Sequence, residues 1–231
     1  MNNDKNNSKT VKSSSFSIHP SKSLNKLYIV KNYQGANPEF AKVLFVGRDP
    51  NWHYDVENSP VFPKIEEYLS DGSKFWKKHD FHHPFLASEY KGDGKRYHRI
   101  FSKLNINSKY SDKISFVELI CVPTTGMSKS NDKEFKNQLL SELNQKHLIE
   151  LDKLLENKNK TIFIAWGLLN DFSFLYKKLG LFKNLAKIDK TELIIKDLNR
   201  IENIYIHKHF SDSISNETID KISIAVNNEL S

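Results

Sequence analysis

Four short apolar runs, each separated from the next by a longer segment, constrain the fold of this chain most strongly. The runs cover residues 42–46, 114–120, 161–165 and 204–207. Each is rich in β-branched or aromatic residues and has no sustained polar alternation. That composition is typical of strands buried on both faces of a parallel sheet.

The segments between these runs have helical character. Apolar residues recur at helical spacing in residues 61–69, 134–155 and 169–179, and Asn216 is expected to cap a last helix. Strand followed by crossover helix, repeated, produces right-handed βαβ units. The sequence therefore predicts an α/β fold, a three-layer α/β/α sandwich around a central, mostly parallel four-stranded sheet. Residues 191–196 are a candidate for a short additional strand.

The first 22 residues differ in composition from the rest of the chain. They are mainly Asn, Lys and Ser, with too little apolar surface to compensate for the entropy lost on ordering. We expect a disordered basic tail over residues 1–22 and a single domain over residues 23–231. Residues 1–26 hold five lysines and one acid, so they account for +4 of the net charge of +7 and leave +3 for the rest. Charge alone is therefore a weak indication of nucleic-acid binding.

Several classes of protein are disfavoured by what the sequence lacks. No window holds the roughly 18 consecutive apolar residues that a membrane span needs, and the N-terminus has no apolar signal-peptide core. The single cysteine, Cys121, cannot form an intramolecular disulfide or a cysteine-ligated metal centre. The histidines of residues 79–83 include an i, i+4 pair, His79 and His83, but the glutamate of the helical zinc motif is missing from the segment and no cysteine lies near it. We therefore predict a cytoplasmic monomer with no metal, no cofactor and no membrane partner.

Polar and charged residues follow each predicted strand, where α/β folds concentrate their function. The first run is followed by Gly-Arg-Asp-Pro at 47–50 and the second by Cys-Val-Pro-Thr-Thr-Gly at 121–126. The third is followed by Trp-Gly at 166–167 and the last, after Lys208, by His-Phe-Ser-Asp-Ser-Ile-Ser at 209–215. If the strands are parallel, these segments meet at one edge of the sheet.

The order of these motifs resembles that of the uracil-DNA glycosylase superfamily. Its first motif is a Gly-X-Asp-Pro-type turn, which residues 47–50 match. Its last is a His-Pro-Ser-Pro-Leu-Ser-type loop, which residues 209–215 follow with one extra residue and without the prolines. Its strand-borne base reader and its Trp-Gly motif are similar to residues 116–119 and 164–167. The resemblance spans about residues 42–215, indicates a divergent member, and implies an enzyme that flips a base out of DNA and hydrolyses its N-glycosidic bond.

The resemblance also implies roles for individual residues. Asp49 would stabilise the cationic sugar and position water, and His209 would donate to the departing base, as the charges that develop on sugar and base require. Residues expected to bind the substrate are Gly47, Asn51, Trp52, Phe62 and Glu118. Residues expected to bind DNA, the predicted partner, are Arg48, Lys91, Arg96, Ser211, Ser213 and Ile214. The two serines precede a helix start that favours phosphate, Ile214 stands where the family has a wedge, and the basic residues lie among aromatic ones.

Two positions depart from the uracil-specific pattern. Asn51 stands where the family has a tyrosine that excludes substituents on pyrimidine carbon 5, and Glu118 falls where it has a base-reading asparagine. An ionised glutamate only accepts hydrogen bonds, so it matches the exocyclic amine of cytosine better than the carbonyls of uracil. Together the changes favour a cytosine-like base with a bulky 5-substituent, as in modified phage DNA.

Other functions stay open on the sequence alone. An Asp-Pro turn after a strand often serves conformation only, and Glu118 could be salt-bridged. The alternatives are a uracil or mismatch DNA glycosylase, a hydrolase of small N-glycosides, and a catalytically inactive DNA-binding protein of the same fold. Walker-type, Gly-X-Gly-X-X-Gly and Gly-X-Ser-X-Gly motifs are absent, which disfavours nucleoside triphosphatases, dehydrogenases and serine hydrolases. His207, on the last strand, is expected in the core.

Overall fold

A computed structural model describes residues 16–92, 94–126, 128–129 and 132–231. In chain order the strands are β1 (Ser17–Ile18), β2 (Gln34–Gly35), β3 (Val43–Gly47), β4 (Ile114–Glu118), β5 (Thr124–Thr125), β6 (Thr161–Ala165), β7 (Asn199–Ile201) and β8 (Ile204–His207). The α-helices within the same residues are α1 (Lys22–Val30), α2 (Phe62–Ser70), α3 (Gly72–His79), α4 (Lys95–Phe101), α5 (Lys133–Leu139), α6 (Glu142–Leu155), α7 (Leu168–Leu179), α8 (Lys183–Ala186) and α9 (Asn216–Leu230).

The central sheet has the strand order β2-β4-β3-β6-β8-β7. Its four inner strands, β4, β3, β6 and β8, are parallel and correspond to the four predicted runs. The sheet is nevertheless six-stranded rather than four-stranded, because β2 and β7 add antiparallel edges. These edge strands have two and three residues, too few for a hydrophobic period to appear in the sequence.

Side chains of the inner strands alternate between two apolar layers. Leu44 and Val46 of β3 pack in a cluster with residues of α5, α6, α7 and α8. Val43 and Phe45 face the other way, into a cluster that includes residues of α3, α4 and α9. The predicted three-layer α/β/α sandwich is confirmed. A third cluster joins α1, α2 and α3 to the loops that hold Trp52 and Phe85.

The predicted helix over residues 134–155 is interrupted and forms α5 and α6. Ser141 caps α6, since its hydroxyl accepts from the Asn144 amide at 3.4 Å. The buried Asn144 side chain donates to the Leu119 carbonyl (3.0 Å) and accepts from the Cys121 amide (3.0 Å). Capping and a buried polar anchor thus override the continuous apolar period.

Three further boundaries differ from the prediction. Residues 190–192 form a 3₁₀ turn rather than a strand. The extra strand is β7 instead, because the Asn199 side chain bonds both backbone groups of Ile194 and folds the segment between them back. Ser215, not Asn216, caps α9 by accepting from the Thr218 amide at 3.1 Å.

The segment expected to be a tail is partly structured. Residues 1–15 of it lie outside the described residues. From residue 16 onward the chain is built into the fold: β1 pairs with β5, and the Ser21 hydroxyl caps α1 by accepting from the Leu24 amide at 3.0 Å. Across the part of the chain that the structure covers, no helix has the length and apolar character that crossing a bilayer would require.

Candidate active site

The carboxyl ends of the parallel strands form the edge at which the predicted site residues lie. From β3 the chain crosses to β4 on one side, whereas from β6 it crosses to β8 on the other side. The connections therefore diverge between β3 and β6, and in open α/β sheets such a switch point is where a crevice forms. Residues 47–50 follow β3 directly at this point.

Asp49 is held by hydroxyl groups from the loop that follows β4. Thr124 donates from Oγ1 to one carboxylate oxygen of Asp49 at 2.5 Å, and Ser128 donates from Oγ to the other. Because both oxygens receive a donor, the carboxylate has a fixed orientation. Burial raises the pKa of Asp49, and these hydrogen bonds, together with the charge of Arg48, oppose that rise.

The turn after β3 and the loop after β4 are joined by backbone hydrogen bonds. The Trp52 amide donates to the Thr124 carbonyl (2.9 Å), and the Thr124 amide donates to the Pro50 carbonyl (3.0 Å). Asn51 is exposed, and its side-chain amide donates to the Gly126 carbonyl. The two loops therefore form one unit, which explains how Thr124 reaches Asp49.

Arg48 is engaged inside the protein. It donates from Nε to the Asp171 carboxylate at 2.9 Å, and its terminal nitrogen lies 2.9 Å from the same oxygen. The Asp171 side chain, on α7, is 2% exposed and that of Arg48 is 24% exposed. The pair crosses the switch point and links the turn after β3 to the helix after β6. Arg48, predicted to bind DNA, thus has an internal structural partner.

Glu118 ends β4 and lies against Gly47 on β3. The two residues are register partners in the parallel ladder. A Cβ atom built on Gly47 would stand 1.9 Å from Oε2 of Glu118, so the carboxyl occupies the space that any other residue at 47 would fill. Glycine is required here for close approach.

Oε2 of Glu118 is buried and has no hydrogen-bond partner, and among the described residues it is the one side-chain polar atom in that condition. Leaving a buried polar group unpaired costs roughly 1–3 kcal/mol, and more for a charge. Burial, and then the negative charge of Asp49, raise the pKa of Glu118 well above its ordinary range. No described residue forms a salt bridge with Glu118, and its surroundings favour the protonated form of the carboxyl.

His209 follows β8 and is exposed at the same edge. Its Nδ1 accepts from the Ser211 amide at 3.2 Å, so in the neutral ring the proton is on Nε2. The surrounding protein desolvates the ring although the residue keeps an exposed surface, and this desolvation together with the nearby Arg48 charge lowers the pKa of His209, while Asp212 opposes them. The ring centre of Tyr97 lies 5.2 Å from that of His209, and the pKa of Tyr97 is raised by burial and by Glu118. Tyr97 therefore contacts His209 and is close enough to Glu118 to be affected by its charge.

Trp52 belongs to the core rather than to an open pocket. It is 1% exposed, its indole donates to the Tyr28 hydroxyl at 3.1 Å, and its ring stacks on His83. Phe62 is half-buried against the same cluster. The surface of Trp52 is therefore taken up by packing, whereas part of the Phe62 side chain stays exposed.

Three histidines beside Trp52 form a contiguous group, the histidine cluster: His82, His83 and His98. His82 Nε2 lies 3.1 Å from His98 Nδ1, and the rings of His83 and His98 stack at 3.5 Å. Burial lowers the pKa of all three, that of His82 to about 3. No group of three or more His, Cys, Asp or Glu within the covered ranges is arranged to hold a metal ion.

The residues predicted to bind DNA are mostly at the surface. Lys91, Arg96, Ser211 and Ser213 are exposed. Arg96 donates to the Asp212 carbonyl at 3.2 Å, which joins α4 to the loop after β8. Ile214 is half-buried and packs against the α4 and α9 layer. His207 is buried as expected, with its Nδ1 2.7 Å from the Lys208 carbonyl oxygen.

Sequence reasoning missed the residues that position the site. Thr124 and Ser128 lie 75 and 79 residues after Asp49, and nothing local marks them as its partners. Asp171 could have been found, because it is an acid at helical spacing from Leu168 and Leu175, on the apolar face of the helix, where an unpaired carboxylate is costly.

A surface cavity of about 360 Å³ lies at the opposite, amino edge of the sheet, lined in part by Leu155, Phe182 and Ile204. None of the predicted site residues lines it. No family model, curated protein or solved structure matches the chain. The geometry at the carboxyl edge of the sheet is therefore the basis for assigning a function.

Proposed function

We propose that this protein is a DNA glycosylase that hydrolyses the N-glycosidic bond of a base flipped out of DNA. The observation that carries the proposal is the pair of neighbouring carboxyls with opposite surroundings, Asp49 receiving two hydroxyl donors and Glu118 receiving none at Oε2. Unequal carboxyls side by side are typical of sites that separate the two roles in glycosidic bond cleavage. The order of motifs that resembles the uracil-DNA glycosylase superfamily supports the same activity.

Asp49 acts on the sugar side of the bond. When the N-glycosidic bond breaks, its electron pair leaves with the base and positive charge develops on the sugar, which the Asp49 carboxylate stabilises. Water then adds its oxygen to sugar carbon 1′ and gives a proton to Asp49, which passes it to solvent or to the departing base. The products are a sugar hydroxyl and a neutral base.

His209 acts on the base side. With Nδ1 occupied by the Ser211 amide, the Nε2–H is the group available to donate to a base carbonyl as negative charge develops there. A neutral imidazole serves as a hydrogen-bond donor without carrying a proton that must be transferred.

DNA is the expected macromolecular substrate because exposed cations and hydroxyls surround this edge. Lys91 and Arg96 suit phosphate contacts, and the hydroxyls of Ser211 and Ser213 precede the N-terminus of α9, where anions are favoured. Ile214 would have to leave its partly buried position in order to fill the space of a flipped base.

The test is base release from duplexes that each carry one candidate base: uracil, a thymine mismatch, cytosine, 5-hydroxymethylcytosine or glucosylated cytosine. We expect wild-type protein to release at least one, and Asp49→Asn to lower the rate roughly 100- to 1000-fold, on the scale of losing one electrostatic group, while DNA binding is retained. Arg96→Ala should weaken binding and lower the salt slope by about one. Lys153→Ala, an exposed lysine near the end of α6, should change neither.

Two other results would replace the proposal. Cleavage of free nucleosides with little DNA affinity would indicate a hydrolase of small N-glycosides. Salt-dependent DNA binding without release of any base, unchanged in Asp49→Asn, would indicate a binding protein that has no glycosylase activity.

A further inference from the structure

The buried oxygen of Glu118 is an unused hydrogen-bonding position inside the candidate site. Oε2 has no partner, and Gly47 leaves it the space that a side chain would otherwise take. Native proteins rarely bury such a group without compensation, and where they do a ligand or catalytic role is the usual reason. The Glu118 backbone is fixed as well, because His147 on α6 donates from Nε2 to its carbonyl at 2.7 Å.

The surroundings of Glu118 favour its neutral form. Burial disfavours a charged carboxylate, and the Asp49 carboxylate in the turn after β3 disfavours a second negative charge beside it. Three phenols are close enough for a charge on Glu118 to raise their pKa values, Tyr28 on α1, Tyr68 on α2 and Tyr97 on α4. Over the described part of the chain no lysine, arginine or histidine forms an ion pair with the Glu118 carboxyl. A buried carboxyl beside another carboxylate, with no donor at Oε2, favours holding its proton.

Building on the proposed function, we propose that Glu118 binds the target base as a neutral carboxylic acid, with its hydroxyl donating and its carbonyl accepting. The substrate class is then a pyrimidine whose Watson–Crick edge places a donor next to an acceptor. Cytosine-type bases offer N3 and the 4-amino group, and uracil-type bases offer N3–H and O4. The ionised, accept-only Glu118 assumed from the sequence would have selected cytosine-type bases alone.

A neutral Glu118 also contributes to the reaction itself. Its hydroxyl donates to the ring as the base takes up the electron pair of the broken bond, so the hydrogen bond strengthens while negative charge develops. Glu118 keeps its proton throughout, and the water proton still passes by way of Asp49. An ionised Glu118 would instead repel the departing base.

Glutamine provides the matched variant, because it presents one donor and one acceptor as the neutral acid does but cannot ionise. We expect Glu118→Gln to keep kcat/KM within about tenfold of wild type and to lose the alkaline decline of the wild-type pH profile. Glu118→Ala should fall roughly 100-fold. Glu66→Gln, at an exposed position on α2, should match wild type. The inference would be overturned if wild-type activity rose as Glu118 ionises and Glu118→Gln were as inactive as Glu118→Ala.

An infrared measurement keeps this outcome distinct from that of the proposed function. At pH 7 the wild-type protein should show the carbonyl band of a protonated carboxylic acid, which Glu118→Gln removes and Glu66→Gln leaves. Absence of that band overturns the neutral-acid assignment whatever the activity. Failure to release any base from uracil-type or cytosine-type duplexes overturns the glycosylase proposal, and base recognition by Glu118 with it, even where the band is present.

Discussion

Replacing Gly47 by alanine tests whether the close approach of Glu118 to β3 is as tight as the structure indicates. The added Cβ would lie 1.9 Å from Oε2 and 2.5 Å from Cδ of Glu118, whereas ordinary contact begins at 3.4 Å. The shortfall at Oε2 is about 1.5 Å, too large for a small adjustment. The carboxyl must therefore swing away or the strands must separate.

The energetic effect follows from that displacement. Overpacking of a filled site costs roughly 1–3 kcal/mol, so we expect Gly47→Ala to lower the free energy of unfolding by about 2 kcal/mol and to abolish most base release. Glu118→Ala removes both the clashing atoms and an unpaired buried oxygen. The double variant should therefore recover most of the lost stability without recovering activity, with a coupling of about 1–2 kcal/mol.

Urea unfolding monitored by tryptophan fluorescence measures the stability of wild type, both single variants and the double variant, since Trp52 and Trp76 are buried. Gly180→Ala is the matched control, because its positive φ of 74° imposes strain while its Cβ would meet no atom within 4 Å. Its cost should not depend on Glu118. Additivity of Gly47→Ala and Glu118→Ala within about 0.5 kcal/mol would refute the packing argument.

Two further predictions concern titration. Thr124→Val removes a hydroxyl that lowers the pKa of Asp49, so the acid limb of the pH profile for base release should move to higher pH. Thr125→Val, the control, should leave that limb in place. An acid limb that does not move in Thr124→Val would contradict the assigned hydrogen bond. The histidine cluster is neutral when folded, and the unfolded chain takes up protons below about pH 6.5. The free energy of unfolding should therefore decrease as the pH falls from about 6.5 toward about 3, the lowered pKa of His82. Each histidine of the cluster should contribute a slope of roughly 1.4 kcal/mol per pH unit. Urea unfolding between pH 7.5 and 5 measures this slope, and an equal slope in His98→Gln would count against the cluster.

The inner strands could be predicted from the sequence because burial on both faces imposes a continuous apolar composition on them. The edge strands could not, since two- or three-residue pairings such as β2 and β7 leave no period to detect. The break between α5 and α6 was missed for a different reason. The apolar period continues across it, but Ser141 caps a new helix and the Asn144 side chain binds backbone groups of a distant loop.

Within the candidate site, the sequence indicated which residues follow the strands but not what they contact. Asp49 and Glu118 come to the same edge because parallel strands end together. The donors to Asp49 come from another loop, and the partner of Arg48 comes from α7, so only the assembled fold brings them together. The sequence alone suggested an ionised Glu118, because an isolated glutamate is ionised at neutral pH; only the fold buries it beside Asp49, and both effects raise its pKa.

The two carboxyls differ in how firmly their positions are fixed, and this bears on how substrate choice could change. Glu118 and Gly47 are paired in the parallel ladder, so a shift of one residue in register would turn the Glu118 side chain to the opposite layer. The position of Glu118 is thus set by the sheet itself. Asp49 depends on the loop that carries Thr124 and Ser128, and Asn51 is tied to the same loop through Gly126. Substitutions in that loop should therefore alter the catalytic carboxylate and the 5-substituent side of the pocket while recognition by Glu118 stays unchanged.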